Sequence, residues 1–242
     1  MIALQKFDLL QAAVSLLYPP VCAICGRSIR PREYLCDQCE AKAARIVAPF
    51  CQKCSEPFEG SITSAFTCAN CAHRMIYFDA AVAAYRGRGI VRQIIHEFKY
   101  GRQLHLRHLL ARWLRAALDD ERLSGHRFDV IVPVPLHPTR QRERGFNQAG
   151  LLGELLSAQT SIPARAVLER IRYTTTQTAL DRAERMENLH NAFRLRKNAD
   201  VRGLQVLLID DVLTTGSTLN ECARVLKRAG AFSVHAATAA RA

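Results

Sequence analysis

The chain has 242 residues and a formal charge of +12, from 34 Lys and Arg against 22 Asp and Glu. Apolar residues make up 49% and charged residues 23%, which excludes a largely disordered chain. No run of about 18 apolar residues occurs, which excludes membrane insertion through a spanning helix.

Residues 9–17 are mildly apolar, but Asp8 and Gln11 interrupt the run, and Tyr18-Pro19-Pro20 stands where an export signal would carry small residues. We read a short amphipathic helix with Leu4, Phe7, Leu10, Val14 and Leu17 on one face, and expect a cytoplasmic protein.

Eight of the nine cysteines follow in four Cys-x-x-Cys pairs: Cys22/Cys25, Cys36/Cys39, Cys51/Cys54 and Cys68/Cys71. Two sulfurs two residues apart reach one ion from a tight turn, and two such turns complete a tetrahedral four-thiolate shell. The spacing therefore predicts two structural zinc sites. A disulfide framework would show mixed gaps, and redox pairs would need a thioredoxin-like context. Sequential ligation is the simplest assignment, and spacing alone does not exclude interleaved ligation. Cys222 stands alone and reads as a buried helix residue.

Zinc changes where the charge lies. Residues 1–75 hold 8 basic and 6 acidic side chains, and become net acidic once two four-thiolate sites are loaded. Residues 76–242 hold 26 basic and 16 acidic side chains, so an anionic partner is expected there. We divide the chain accordingly, into an N-terminal helix with double ribbon (1–75) and a second domain (76–242).

In the second domain, strands are expected at 79–85, 128–134, 204–210 and 232–238. Helices are expected at 90–98, 104–118, about 147–158 and about 218–229, the last stopped by Gly230. Strands alternating with helices give an α/β fold with a mostly parallel sheet.

The sharpest motif is LLIDDVLTTGST, residues 207–218. A buried strand delivers Asp210 and Asp211 to its carboxyl end, where open α/β sheets bind ligands. Thr214, Thr215, Gly216, Ser217 and Thr218 then open onto a helix N-terminus, whose N–H groups and hydroxyls can wrap a phosphate. The carboxylates can accept hydrogen bonds from a sugar diol, directly or beside a divalent cation. No Gly-Lys-Ser/Thr follows, so this is not a Walker A loop.

The string resembles the 5-phosphoribosyl 1-pyrophosphate (PRPP) signature of type I phosphoribosyltransferases. That resemblance implies ribose and Mg2+ contacts, with catalytic roles, for Asp210 and Asp211, and a 5-phosphate cradle at Thr214 to Thr218. It implies a pyrophosphate loop after the strand VIVPVP, at Leu136 to Arg144, with His137, Arg140, Arg142 and Arg144. Segment 172–193 is similar to the mobile loop of glutamine amidophosphoribosyltransferases through Arg172, Gln177, Arg185 and Asn188. With YPPVCAICG, FKYGR, PVPLHPTRQRERGFNQA and IDDVLTTGST, the chain resembles the ComF family over nearly all its length. That family is linked to DNA uptake or to the use of DNA as a nutrient, with no settled acceptor.

Two functions follow as expectations. One is a phosphoribosyltransferase-like protein binding Mg–PRPP and acting in DNA uptake or DNA utilisation, with DNA-uptake proteins as partners. The other is a catalytically inactive adaptor that binds single-stranded DNA. Its groove would use Arg86, Arg88, Arg92, Lys99, Arg102, Arg107, Arg112 and Arg115, with Phe98, Tyr100 and Trp113 as aromatics, although Trp113 lies on an apolar face.

Overall fold

The computed structural model describes residues 19–60, 62, 64–101, 103–173 and 191–242. The expected helix through Leu4 to Leu17 lies outside the described residues, as do Arg102, Gln177, Arg185 and Asn188.

The N-terminal part is the same unit built twice. In the first, Cys22 N donates to Arg27 O at 2.7 Å and Gly26 N donates to Cys22 O at 2.9 Å. In the second, Cys51 N donates to Glu56 O at 2.8 Å and Ser55 N donates to Cys51 O at 2.9 Å. The residue after each second cysteine is left-handed: Gly26 at φ 71° and Ser55 at φ 58°. Each unit ends in one helical turn, α1 (Asp37–Glu40) or α2 (Ala69–Ala72). One ligand cysteine precedes each turn and another lies within it.

This geometry settles the ligation as sequential. Cys22, Cys25, Cys36 and Cys39 bring their sulfurs within 4.8 Å of one another, and so do Cys51, Cys54, Cys68 and Cys71. Cys25 Sγ and Cys36 Sγ are 3.7 Å apart, and Cys54 Sγ and Cys68 Sγ 3.6 Å. Sulfurs bound at about 2.3 Å to one tetrahedral ion stand about 3.8 Å apart, whereas a disulfide needs about 2.05 Å.

The remainder is a parallel sheet with helices on both faces. Strands β1 (Ala81–Arg86), β2 (Val130–Pro133), β5 (Gln205–Leu213) and β6 (Ser233–Arg241) run in the order β1-β6-β5-β2. The central strands carry alternating residues to opposite faces. Ile131, Leu207, Ile209 and Ala237 join Leu109, Trp113, Leu152 and Leu156 in one core cluster, contributed by α4 (Arg107–Ala117) and α7 (Gln148–Thr160). Val130, Val132, Val206, Leu208 and Val234 join Leu219, Cys222 and Leu226 of α8 (Ser217–Arg228) in the other. Helix α3 (Gly89–Tyr100) follows β1, and the turn α5 (Glu121–Ser124) precedes β2.

The ribbons pack onto this sheet along β1, whose other edge pairs with β6. Ile46 N donates to Ala84 O at 3.0 Å and Arg86 N to Ala44 O at 2.8 Å. Ala81 N donates to Lys53 O at 2.8 Å. Ser55 Oγ donates to Ala81 O at 3.0 Å and accepts from Ala83 N at 3.2 Å, which accounts for a serine where the first unit has glycine. Cys22, Cys36 and Cys39 share the first core cluster, and Cys51, Cys54 and Cys71 the second.

Three features depart from expectation. Residues 138–144 form a helix, α6 (Pro138–Arg144), where a loop was expected. His137 caps it, accepting from Thr139 N at 3.3 Å on Nδ1, Pro138 occupies its first position, and Gly145 closes it at φ 81°. An antiparallel pair, β3 (Leu168–Arg170) with β4 (Phe193–Leu195), lies outside the main sheet. Finally, Phe98, counted among the aromatics for stacking bases, is 0% exposed and belongs to the core, whereas Trp113, at 1% exposed, is buried as its apolar face implied. No described helix is long and apolar enough to cross a membrane.

Candidate functional site

Strand β5 is buried from Val206 to Ile209, and its carboxyl end presents the two acids. Asp211 is 4% exposed, and its Oδ2 lies 2.7 Å from Lys99 Nζ, at the last turn of α3. Asp210 is half-buried and accepts from Asp211 N at 2.9 Å on Oδ1. Burial, reinforced by the Asp211 carboxylate, pushes the Asp210 carboxyl well above the usual range. Arg170, on β3, feels Asp210 and Arg140; burial and the Arg140 charge lower its pKa, and Asp210 opposes them. Cys222 is buried behind this cluster, and burial raises its thiol pKa, so it fits the packing role and not that of a nucleophile.

The next five residues turn the chain into α8. Gly216 is left-handed at φ 76° and precedes the helix. The left-handed backbone favours glycine, and a Cβ there would also crowd Arg74 Nη2 at 3.0 Å and Leu213 Cδ1 at 3.3 Å. The hydroxyls of Thr215 and Ser217 are 2.9 Å apart. Thr214 is exposed, and Thr218 lies in the first turn of α8. The N–H groups at the start of this 12-residue helix, of which Ser217 N makes only a long 3.4 Å bond to Thr215 Oγ1, the hydroxyls beside them and the acid pair on the preceding strand together suit a phosphorylated sugar.

The second ribbon unit holds this loop from behind. Arg74 Nη2 and Asn70 Nδ2 both donate to Thr215 O, at 2.7 and 3.2 Å. Asn220 Oδ1 accepts from Tyr77 N at 2.6 Å, and its Nδ2 donates to Met75 O at 2.9 Å. Arg74 Nε and Nη1 are buried there without a hydrogen-bond partner. Sequence reasoning missed Asn70, Arg74 and Asn220, because their partners are more than 140 positions away. It also missed Arg170, and counted Lys99 toward a different surface.

The expected pyrophosphate residues separate into two groups. Arg140 and Arg144 line a cavity of about 340 Å3 with Lys99, Tyr100, Phe146 and Tyr173. Arg144 Nη2 donates to Tyr100 Oη at 2.9 Å, and the Arg140 guanidinium lies 5.9 Å from the Tyr173 ring. His137 meets the edge of that ring at 5.2 Å. Arg142 is exposed and outside the cavity. Arg172 is exposed beside Tyr173.

Much of the expected basic surface is neutralised. Arg86 meets Glu59 at 3.3 Å, Arg112 meets Glu40 at 2.9 Å and Arg115 meets Asp119 at 2.6 Å. With Phe98 and Trp113 buried, the structure offers no aromatic platform at those positions beyond the exposed Tyr100.

Comparison with known proteins agrees with both halves. Residues 13–72 match the double zinc ribbon domain, so the two cysteine groups are zinc sites. Residues 149–242 match the phosphoribosyl transferase domain. Competence protein F of Haemophilus influenzae is 34% identical over 214 residues, covering 86% of this chain and 90% of that one. The DNA utilization protein YhgH of Salmonella typhimurium is 33% identical over 217 residues, covering 88% and 87%. The competence protein ComFC of Bacillus subtilis is 28% identical over 208 residues, covering 84% and 81%. The zinc ribbon, the sheet carrying the acid pair and loop, and this breadth of similarity place the chain in the ComF family of competence and DNA-utilisation proteins.

Proposed function

We propose that the chain binds Mg–PRPP at the carboxyl end of β5 and acts, in the cytoplasm, in DNA uptake or DNA utilisation. The observation that carries the reading is the loop from Thr214 to Thr218, with left-handed Gly216 opening α8 directly after the Asp210–Asp211 pair. The 5-phosphate sits on the loop N–H groups and hydroxyls. Asp210 and Asp211 receive the ribose hydroxyls, and carboxylate oxygens suit the hard Mg2+ that accompanies the substrate. Arg140, Arg144 and Lys99 line the cavity that takes the pyrophosphate. The names of the similar proteins support the link to DNA.

In a turnover, an acceptor nucleophile bonds to the anomeric carbon as the bond to pyrophosphate breaks, and pyrophosphate leaves with the electron pair. Magnesium bound with PRPP neutralises charge on the leaving oxygens. The chain contributes positioning and guanidinium charge, and no protein nucleophile is needed. The single-strand adaptor reading loses support, because two of its three aromatics, Phe98 and Trp113, are core residues and three of its arginines have acidic partners.

Calorimetric titration of Mg–PRPP into wild-type protein and the Asp210→Asn/Asp211→Asn variant tests the reading, with pyrophosphate assayed afterwards. Saturable binding lost in the variant is expected. No binding to the wild type would reduce the loop to a retained scaffold.

A further inference from the structure

The two zinc sites meet the rest of the chain differently. The first unit is tied to β1, to α4 and to the turn before α4. Ile46 N donates to Ala84 O, Arg112 pairs with Glu40, and the Tyr34 ring stacks on those of His105 and His108 at 6.3 and 6.2 Å. Among the described residues, no hydrogen bond or ion pair joins residues 19–46 to residues 213–220.

The second unit grips the ligand loop from both of its cysteine turns. Asn70 lies between the ligands Cys68 and Cys71, Arg74 lies beyond them, and both donate to Thr215 O. Arg74 Nε and Nη1 are buried without a hydrogen-bond partner, so the backbone leaving Cys71 sets where that guanidinium stands. From the other turn, Arg241 pairs with Glu56, just past Cys54, and lies against Cys54 itself. Its Nη1 donates to Leu213 O at 3.4 Å, and Ala242 N donates to the same oxygen at 2.8 Å. Cys51, Cys54 and Cys71 also share their core cluster with Leu213 and Leu219, the residues on either side of the loop.

Zinc–thiolate bonds join these two turns. With the ion in place, Leu213 O and Thr215 O are fixed relative to each other through a closed ring of contacts. Without it, each turn moves alone and carries its carbonyl along, because a segment this small has little core to hold it otherwise. Coupling of this kind is reciprocal: what the ion adds to ligand affinity, the ligand adds to ion affinity.

We propose that the second zinc site, and not the first, is linked to the ligand loop. Zinc at Cys51, Cys54, Cys68 and Cys71 raises affinity for the phosphorylated ligand, and the bound ligand protects that one ion from loss. The ligand half of this statement rests on the PRPP reading; the loop half does not.

Two measurements on the full chain test it. In the first, zinc-loaded protein meets graded amounts of a pyridyl chelator that takes zinc and spares Mg2+, with and without saturating Mg–PRPP. Retained zinc is counted by elemental analysis. One ion per chain is expected to need about tenfold more chelator when Mg–PRPP is present, and the other to leave as before. Cys25→Ser, which removes a ligand of the first site, should keep the protected ion. Cys68→Ser should lose it, with Mg–PRPP affinity down about tenfold or more. Asn70→Ala/Arg74→Met keeps every zinc ligand and should hold two ions without protection, so the test survives a Cys68→Ser chain that fails to fold. In the second measurement, hydrogen exchange is followed over residues 213–220 without ligand. Exchange should quicken in Cys68→Ser and in the double variant, and stay at the wild-type rate in Cys25→Ser.

The proposal falls if Mg–PRPP binds yet protects neither ion, or both alike. It also falls if Cys25→Ser loosens residues 213–220 as much as the second-site variants do, or if those variants leave exchange unchanged. Failure of Mg–PRPP to bind the wild type would sink the PRPP reading, and hydrogen exchange alone would then decide whether the second site holds the loop.

Discussion

Lys99 Nζ lies 2.7 Å from Asp211 Oδ2, and the two side chains are only 16% and 5% exposed. The pair ties the last turn of α3 to the carboxyl end of β5 and so fixes one acid of the ligand motif before any ligand arrives. Breaking a buried pair by removing one partner costs about 3–5 kcal/mol, and the residual exposure of Lys99 moderates this to about 2–3 kcal/mol. Lys99→Met should therefore show that loss in urea unfolding, with most of it recovered in Lys99→Met/Asp211→Asn. Single and double variants of equal stability would mean the contact contributes little.

The Asp210 carboxyl is raised by burial and by Asp211. Its folded pKa thus exceeds its unfolded pKa of about 4. The sign follows: the folded state holds this proton more tightly, so the contribution to stability is full below about pH 4 and is lost as pH rises through the folded pKa. Asp210→Asn should flatten that decline in the unliganded protein. Mg–PRPP binding should release a proton, seen as a dependence of the binding heat on buffer ionisation enthalpy. A variant with the wild-type pH profile would contradict this.

Arg74 reaches from the second ribbon unit to Thr215 O at 2.7 Å. Arg74→Ala removes a charge-assisted hydrogen bond of about 1.5–3 kcal/mol from the back of the loop. We expect Mg–PRPP affinity to fall about tenfold, corresponding to roughly 1.4 kcal/mol. Zinc content should stay at two ions per chain by elemental analysis. Unchanged affinity would show that Asn70 and Asn220 suffice to hold the loop.

Cys22→Ser removes one ligand of the first site. Zinc content should drop toward one ion per chain. A loss of about 3 kcal/mol lowers the melting temperature of a chain this size by about 6–12 °C. Cys22 also sits in a core cluster with the sheet, so α4 should become more accessible to hydrogen exchange. Wild-type zinc content and melting would refute the assignment.

The parts of this fold legible in the sequence are those encoded locally. Cys-x-x-Cys spacing, the apolar strands 130–133 and 205–213, and the acid-acid-Thr-rich loop each have all their determinants within a few residues. Asn70, Arg74 and Lys99 escaped because their partners are set by tertiary packing and the residues themselves look ordinary. Helix α6 was within reach: His137, Pro138 and Gly145 form a cap, a first position and a stop. It was obscured by the arginines, which suggested a phosphate loop. The β3–β4 pair, three residues per strand, is too short for alternation to register.

The pairing of the ribbons with β1 reaches beyond architecture. Residues 44–46 and 53–55 satisfy the outer edge of that strand, and they are held in place by the two metal sites. A chain lacking its ions would present β1 as an open template for other strands, the usual starting point for aggregation. Stripping the zinc is therefore expected to cost solubility as well as shape, since it would free that edge.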